Sequence, residues 1–305
     1  MTGMPRMAIC LAVYNGSEWI AEQVNTILGQ EGVVLTVFVS VDASTDCSEA
    51  IINRMAANDG RLKVLDHGRH FGGAALNFFR ILSEVDFSEF DYVCFADQDD
   101  IWNHKKLRDA HEKLLETGAD AYSSNVLAFW PDQARVLIKK SQKQVRWDFL
   151  FEAAGPGCTY VLRKELACSI QVLVKSRWLE VCKVGLHDWF VYAFARAHGY
   201  RWIIDHHPGM LYRQHDNNQV GVNIGWKALR HRARKIFSDW GLSQSALIAE
   251  LVGLGNDPFV KRWSNGSCTG LVWLACHAWQ CRRRMRDKLL FSLSCLALCF
   301  VQKRR

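Results

Sequence analysis

Three carboxylates stand within four residues at Asp97-Gln98-Asp99-Asp100, directly after the apolar run Tyr92–Ala96. In extended chain, Asp97 and Asp99 are two apart and project to the same side. Two hard oxygen ligands so placed suit a divalent cation, Mg or Mn, that also takes phosphate oxygens. A solvated acidic turn is the other reading. The position after a buried strand favours the cation, because like charges packed together need one. A phosphatase nucleophile motif would also follow a strand, but it wants Thr or Val where Ile101 stands and a place near the N-terminus.

These residues need a scaffold, and the pattern supplies one. Met7–Tyr14 is a continuous apolar run closed by Asn15-Gly16, and Leu35–Val41 (LTVFVSV) is a second strand-like segment, ending at Asp42. Both read as buried parallel strands, with Tyr92–Ala96 a third and Leu62–Leu65 a short fourth. Between them, helical spacing spans Trp19–Leu28, Glu49–Ala57 and Ala74–Val85, the last preceded by Gly72-Gly73. Alternating strands and helices call for an α/β fold, a mostly parallel twisted sheet flanked by helices. Ligands then bind beyond the carboxyl ends of the strands, where Asn15, Asp42 and Asp97 all lie. Further on, His104–Thr117 and Asp188–His198 read as helices. Ala121–Phe129, Cys158–Leu162, Trp202–Ile204 and Met210–Arg213 read as strands, and the chain from Gly225 reads as wholly helical and basic.

At 305 residues, 49% hydrophobic and 23% charged, the chain can bury a large core and is not intrinsically disordered. Its net charge of +7 is local, since residues 282–305 hold eight Lys or Arg and one acid and the remainder balances to zero. That disfavours a nucleic-acid binder, which would be basic throughout. The eleven cysteines are odd in number, scattered and without a CxxC, which fits neither a zinc site nor a disulfide framework. With no room for a signal peptide before the first strand, the expectation is a reducing, cytoplasmic setting. Leu289–Val301 is apolar but too short to span a bilayer. Its basic flanks suit an anionic membrane surface on the cytoplasmic face, as a peripheral attachment. The alternative is a helix packed on the remaining chain with its Arg heads in solvent; Trp263, Trp273 and Trp279 fit either.

Leu11–Gly16 (LAVYNG), Val41–Asp46 (VDASTD), Asp97–Trp102 (DQDDIW) with Lys105/Lys106-Leu107, Gly155–Thr159 (GPGCT), His187–Phe190 (HDWF) and Tyr212–Asn218 (YRQHDNN) occur in that order. Together they resemble a glycosyltransferase of family 2, most closely its rhamnosyltransferase-like branch, over roughly residues 6–225. The resemblance implies a GT-A type nucleotide-diphospho-sugar transferase fold in residues 1–225, with 226–305 a basic helical C-terminal extension. It implies an inverting, metal-dependent transfer from a nucleotide-diphosphate-sugar donor, dTDP-rhamnose or a similar hexose, with UDP-GlcNAc or UDP-galactose as alternatives. The acceptor would be a saccharide of cell-surface polysaccharide assembly, lipid-linked in many relatives. By the same resemblance Asp42 would accept from the pyrimidine, although Val41 and Ala43 replace the family's usual neighbours; Tyr14 and Asn15 would line that pocket. Asp97 would sit near the ribose or the metal, Asp99 would ligate the metal with His215, and Arg213 would meet phosphate. Asp188 would be the catalytic base at a helix start, where a plain N-cap is the alternative. Gly157, Cys158, Thr159 and Trp189 would border the acceptor. A dinucleotide-dependent oxidoreductase would need a GxGxxG loop, which Tyr14-Asn15-Gly16-Ser17 is not. A non-catalytic membrane- or nucleic-acid-binding module would rest on the tail alone.

Overall fold

In the computed structural model, which describes residues 3–66, 70–131, 134–215 and 240–302, Arg6–Val13 forms strand β1, buried beyond its first residue. A strand covered on both faces sends alternate side chains into two layers. Ala8, Cys10 and Ala12 join Phe78, Phe79 and Leu82 in one core, while Met7, Ile9, Leu11 and Val13 join Ile20, Val24 and Ile27 in the other. The chain continues through α1 (Ile20–Leu28), β2 (Val34–Val41), α2 (Ser48–Asn58), β3 (Leu62–Val64), α3 (Ala74–Glu84) and β4 (Tyr92–Ala96). It then passes β5 (Ile101–Trp102), α4 (Lys106–Thr117), β6 (Ala121–Ser124), β7 (Val126–Phe129), β8 (Arg135–Ile138), β9 (Val161–Arg163), α5 (Lys164–Ser176), α6 (Trp178–Val181), α7 (His187–Ala197), β10 (Trp202–Asp205) and β11 (Met210–Arg213).

The described residues build a seven-stranded sheet in the order β10-β6-β9-β4-β1-β2-β3. The pairs β4–β1, β1–β2, β2–β3 and β10–β6 are parallel; β9 runs antiparallel to both neighbours. The carboxyl ends of β1, β2, β4, β6 and β10 therefore share one edge. A smaller sheet, β5-β11-β7-β8, stands beside that edge, and the register Leu211↔Ile101 brings the end of β11 back onto the DQDD segment.

Three departures from the sequence reading matter. Ala121–Phe129 is two strands in different sheets, hinged at Asn125. The Asn125 Oδ1 accepts from the N–H groups of Lys140 and Ser141 at 2.6 and 3.0 Å, and its Nδ2 donates to the His206 carbonyl at 2.8 Å. Lys164–Ser176 forms a helix the sequence reading did not anticipate, burying Leu166, Ala167, Ile170 and Val174.

The third concerns the basic end. From Trp240 the chain is helical, as α8 (Trp240–Leu251), α9 (Pro258–Trp263), α10 (Cys268–Cys276), α11 (Ala278–Cys281) and α12 (Met285–Gln302). Ile248, Phe259, Trp263, Leu274 and Cys295 belong to the same core as Phe78 and Phe190. Arg282 and Arg283 are not solvated heads. Arg282 Nη1 donates to the Phe151 carbonyl at 2.7 Å, and the fully buried Arg283 guanidinium lies 3.6 Å from Asp148 and 3.5 Å from Glu152. Asp148 is buried too, accepting from the Tyr192 hydroxyl at 2.8 Å and Arg196 Nη1 at 3.0 Å. Buried acids need paired cations, and the C-terminal segment supplies one. Helix α12 buries Cys295 and Leu298 but exposes Met285, Leu289, Leu293 and Leu296. No helix among the described residues is long and apolar enough to cross a membrane. The 225/226 boundary lies outside the described residues. All eleven cysteines are free thiols.

Candidate active site

The DQDD segment is a turn between β4 and β5, not extended chain. In a turn, residues i and i+3 approach. Asp97 therefore groups with Asp100 and the Cys158 thiol, their ligand atoms within 4.8 Å of one another. Asp99 points elsewhere, its Oδ2 lying 2.8 Å from Nε2 of His215. The same-side placement of Asp97 and Asp99 is thus corrected by the turn. Burial, with the Asp99 charge added, pushes Asp97 up to about 7, against a hydrogen bond from the Cys158 thiol. Burial and the Asp99 and Asp97 charges raise Asp100 well above the usual carboxylate range. Lys106, 3% exposed, lies with its ammonium 3.3 Å from the centre of the Trp102 ring. Burial pushes Lys106 down to about 8, although nearby thiols and carboxylates hold it up. One lysine does not balance three carboxylates, and Asp100 Oδ2 is buried without a hydrogen-bond partner. Those oxygens fit a hard divalent cation.

Strand β11 brings the second half of this centre. Arg213 donates from Nε to the Asp99 carbonyl at 2.9 Å and from Nη2 to the Glu22 carboxylate, its guanidinium lying 4.7 Å from the Phe129 ring centre. His215 stacks on Trp19, with centroids 4.0 Å apart and planes 19° from parallel. Trp19 caps α1, so the first helix orients the imidazole that meets Asp99.

The loops after β1 and β2 form the neighbouring wall. Asn15 adopts a φ of +46°, in the left-handed region that Asn tolerates. Its Oδ1 accepts from the Thr45 N–H at 2.8 Å. Gln98 clamps the loop to the DQDD turn, accepting from the Tyr14 N–H and donating to the Tyr14 carbonyl, both at 2.8 Å. The clamp requires Gly16, where a Cβ would stand 2.4 Å from Gln98 Oε1. Asp46, partly desolvated, is nonetheless held down to about 2 by hydrogen bonds from Ser48 and Ser17. Asp42, 2% exposed, accepts from the N–H groups of Ala43 and Phe71 at 2.8 Å and of Gly72 at 3.0 Å. It holds the approach to α3 and presents little free surface. The Tyr14 ring is about half exposed.

Asp188 lies in the first turn of α7. Burial pushes its carboxyl up to about 6, against the Trp189 N–H, which donates to Oδ1 at 2.7 Å, and the Lys140 cation. Its charge in turn raises Asp97, and it adjoins Gly157, whose neighbour Cys158 groups with Asp97 and Asp100. Gly157 makes room: a Cβ there would lie 2.6 Å from His187 Nε2 and 3.2 Å from Asp188 Cβ. His187 stacks on Phe78 at 3.9 Å, and burial pushes its imidazole down to about 3, which keeps it neutral. A carboxyl whose protonation is moved toward neutrality, close to an acidic turn, is a candidate for proton transfer.

The sequence profile of the family described as "Glycosyl transferase family 2" matches residues 8–158. A dTDP-rhamnosyl transferase of Shigella flexneri, RfbG, is 40% identical over 284 residues, covering 93% of this chain and 98% of the relative. The chain belongs to glycosyl transferase family 2. The fold agrees: residues 1–349 of S. aureus TarS, solved with UDP-GlcNAc, superpose with a TM-score of 0.57 at 14% identity, over 98% of this chain and 92% of that fragment. The mannosyltransferase PcManGT from Pyrobaculum calidifontis, solved with GDP-Man and Mn2+, does so at 0.51 and 19% identity, over 98% and 87%.

Tyr14, Asn15, Asp42 and Asp97 follow β1, β2 and β4 at their shared edge, and Arg213 and His215 meet Asp99 there. The acceptor wall needs correction. Cys158 and Thr159 are fully buried and Trp189 is 6% exposed, its indole N–H donating to the Phe149 carbonyl at 2.9 Å. These three lie beneath the surface; Gly157 acts by making room. The sequence reading gave no role to Gln98, Trp19, Glu22 or Lys140. A Gln between two acids was the faint signal.

Proposed function

We propose that this glycosyltransferase moves rhamnose from dTDP-rhamnose to a saccharide acceptor in cell-surface polysaccharide assembly, with inversion. The observation that carries the chemistry is Asp188, a partly buried carboxyl raised to about 6 beside Gly157, next in the chain to the Cys158 that groups with the acidic turn. The acceptor hydroxyl attacks the anomeric carbon opposite the nucleotide, Asp188 takes its proton, and the bond to the diphosphate oxygen breaks with its electron pair. A divalent ion, Mn or Mg, held by Asp99 and His215 with Asp97 close by, would neutralise charge on the departing diphosphate. Tyr14, Asn15, Asp42 and Arg213 would bind the nucleotide and its phosphates, with Asp42 also fixing the Phe71-Gly72 backbone. The donor assignment rests on the RfbG similarity.

The division into a catalytic part, 1–225, and a C-terminal helical extension, 226–305, belongs to this reading, as does attachment to the cytoplasmic face of a membrane. The exposed stripe Met285, Leu289, Leu293 and Leu296 beside Trp279 supports the attachment, with Arg284, Arg286 and Lys288 on the same segment. A thermal-shift panel of nucleotides and nucleotide sugars, with and without Mn2+, tests the donor. dTDP-rhamnose with metal should stabilise most; a larger shift with UDP-GlcNAc or UDP-galactose would reassign it.

A further inference from the structure

Apart from the DQDD turn, one other group of side chains converges as metal ligands do. Strand β10 ends at Asp205, followed by His206, His207 and Pro208. Nδ1 of His206 lies 3.2 Å and Nδ1 of His207 3.8 Å from Oδ1 of Asp205. All three ligand atoms fall within 4.8 Å of one another, and the two rings are 4.1 Å apart. A tetrahedron with bonds of about 2.0–2.1 Å has edges of about 3.3–3.4 Å, so two of the three separations are within about half an ångström of that geometry. The carboxylate is fixed from behind. The Tyr122 hydroxyl donates to Oδ2 at 3.3 Å and the His207 N–H to Oδ1 at 3.2 Å. Such outer hydrogen bonds orient ligating groups. Asn125 holds the His206 carbonyl, and Pro208 restricts His207. The imidazoles are 72% and 75% exposed, open to an ion from solvent.

We propose that Asp205, His206 and His207 form a second metal site, taking a borderline transition ion such as Zn2+ or Co2+ with a fourth position left to water. Two nitrogens and one oxygen suit such an ion, where the all-oxygen preference of Mg2+ does not. The site is separate from the DQDD turn: β6 and β9 intervene between β10 and β4, about 14 Å at strand spacing. An ion there pins the connection from β10 into β11, the strand that leads to Arg213 and His215.

The test uses tag-free, metal-stripped full-length protein in excess Mg2+, titrated with Zn2+ by calorimetry and with Co2+ by visible absorption. The wild type should bind one equivalent more than H206Q/H207Q, and Tyr122→Phe should weaken that equivalent about tenfold. Because both histidines are exposed, the double variant should melt with the metal-free wild type; Asp205→Asn provides a second loss of ligand. Equal stoichiometry and affinity in wild type and H206Q/H207Q would overturn the proposal, as would a wild type that binds no additional ion.

Discussion

Asp188→Asn separates catalysis from stability at one residue. The carboxyl is raised from 3.8 to about 6, chiefly by burial. Two pKa units correspond to about 3 kcal/mol of disfavoured ionisation, an upper figure for a group that keeps some solvent. The sign follows from proton binding. The folded state holds the proton more tightly, so between about pH 4 and pH 6 rising pH costs the wild type stability, and above that window the cost is complete. Asparagine carries no charge and keeps an oxygen for the Trp189 N–H. The variant should therefore melt higher than wild type at pH 7.5, by about 5 °C for the full 3 kcal/mol in a chain of this length. The gain should vanish near pH 4. Transfer should fall by about 10²–10⁴ in kcat, with donor binding unchanged. In the wild type, kcat/KM should drop about tenfold per unit below pH 6. Paired melting curves at pH 4 and 7.5, with initial rates across that range, check every part. A variant that stays active, or one that melts lower at pH 7.5, refutes the reasoning.

Other substitutions probe the supports. Gly157→Ala puts a Cβ 2.6 Å from His187 Nε2, so the start of α7 must move. It should lower stability by about 1–3 kcal/mol and the rate by about 100-fold, read by melting and kcat. Arg283→Ala strands Asp148 and Glu152 and should cost about 3–5 kcal/mol in urea unfolding; a loss below about 1 kcal/mol would show that Arg196 and Tyr192 suffice. Gln98→Ala removes both bonds to the Tyr14 backbone. It should cost about 1–2 kcal/mol and weaken nucleotide-sugar binding in calorimetry.

What could be read ahead of the structure follows from how local each signal is. β1, β2 and β4 are mostly apolar runs because both faces are covered, and their ends locate Asn15, Asp42 and Asp97 without any tertiary information. The start of α7 was legible from His187-Asp188-Trp189-Phe190, yet Trp189 was misread. Adjacent helix residues point about 100° apart, so the neighbour of an outward acid faces the core. Spacing alone made Asp97 and Asp99 partners; whether two-residue spacing means one side depends on extended chain, and this segment turns. Contacts across the chain left no local trace. Trp19 reads as one more apolar helix residue until His215 stacks on it. Arg282 and Arg283 count as tail charge until Asp148 and Glu152, some 130 residues earlier, are seen beneath them. β5, two residues long, and β8, which buries none of its four residues, are too slight to signal themselves.

The central claim is metal-assisted sugar transfer with Asp188 as the base. Its most direct measurement is release of dTDP from dTDP-rhamnose in the presence of the saccharide acceptor, in wild type, Asp188→Asn and Asp99→Asn, before and after chelation. Wild-type turnover should stop on chelation and return with Mn2+ or Mg2+, while both variants stay near background under all conditions. Turnover that survives chelation, or that proceeds at the wild-type rate in Asp188→Asn, contradicts the account.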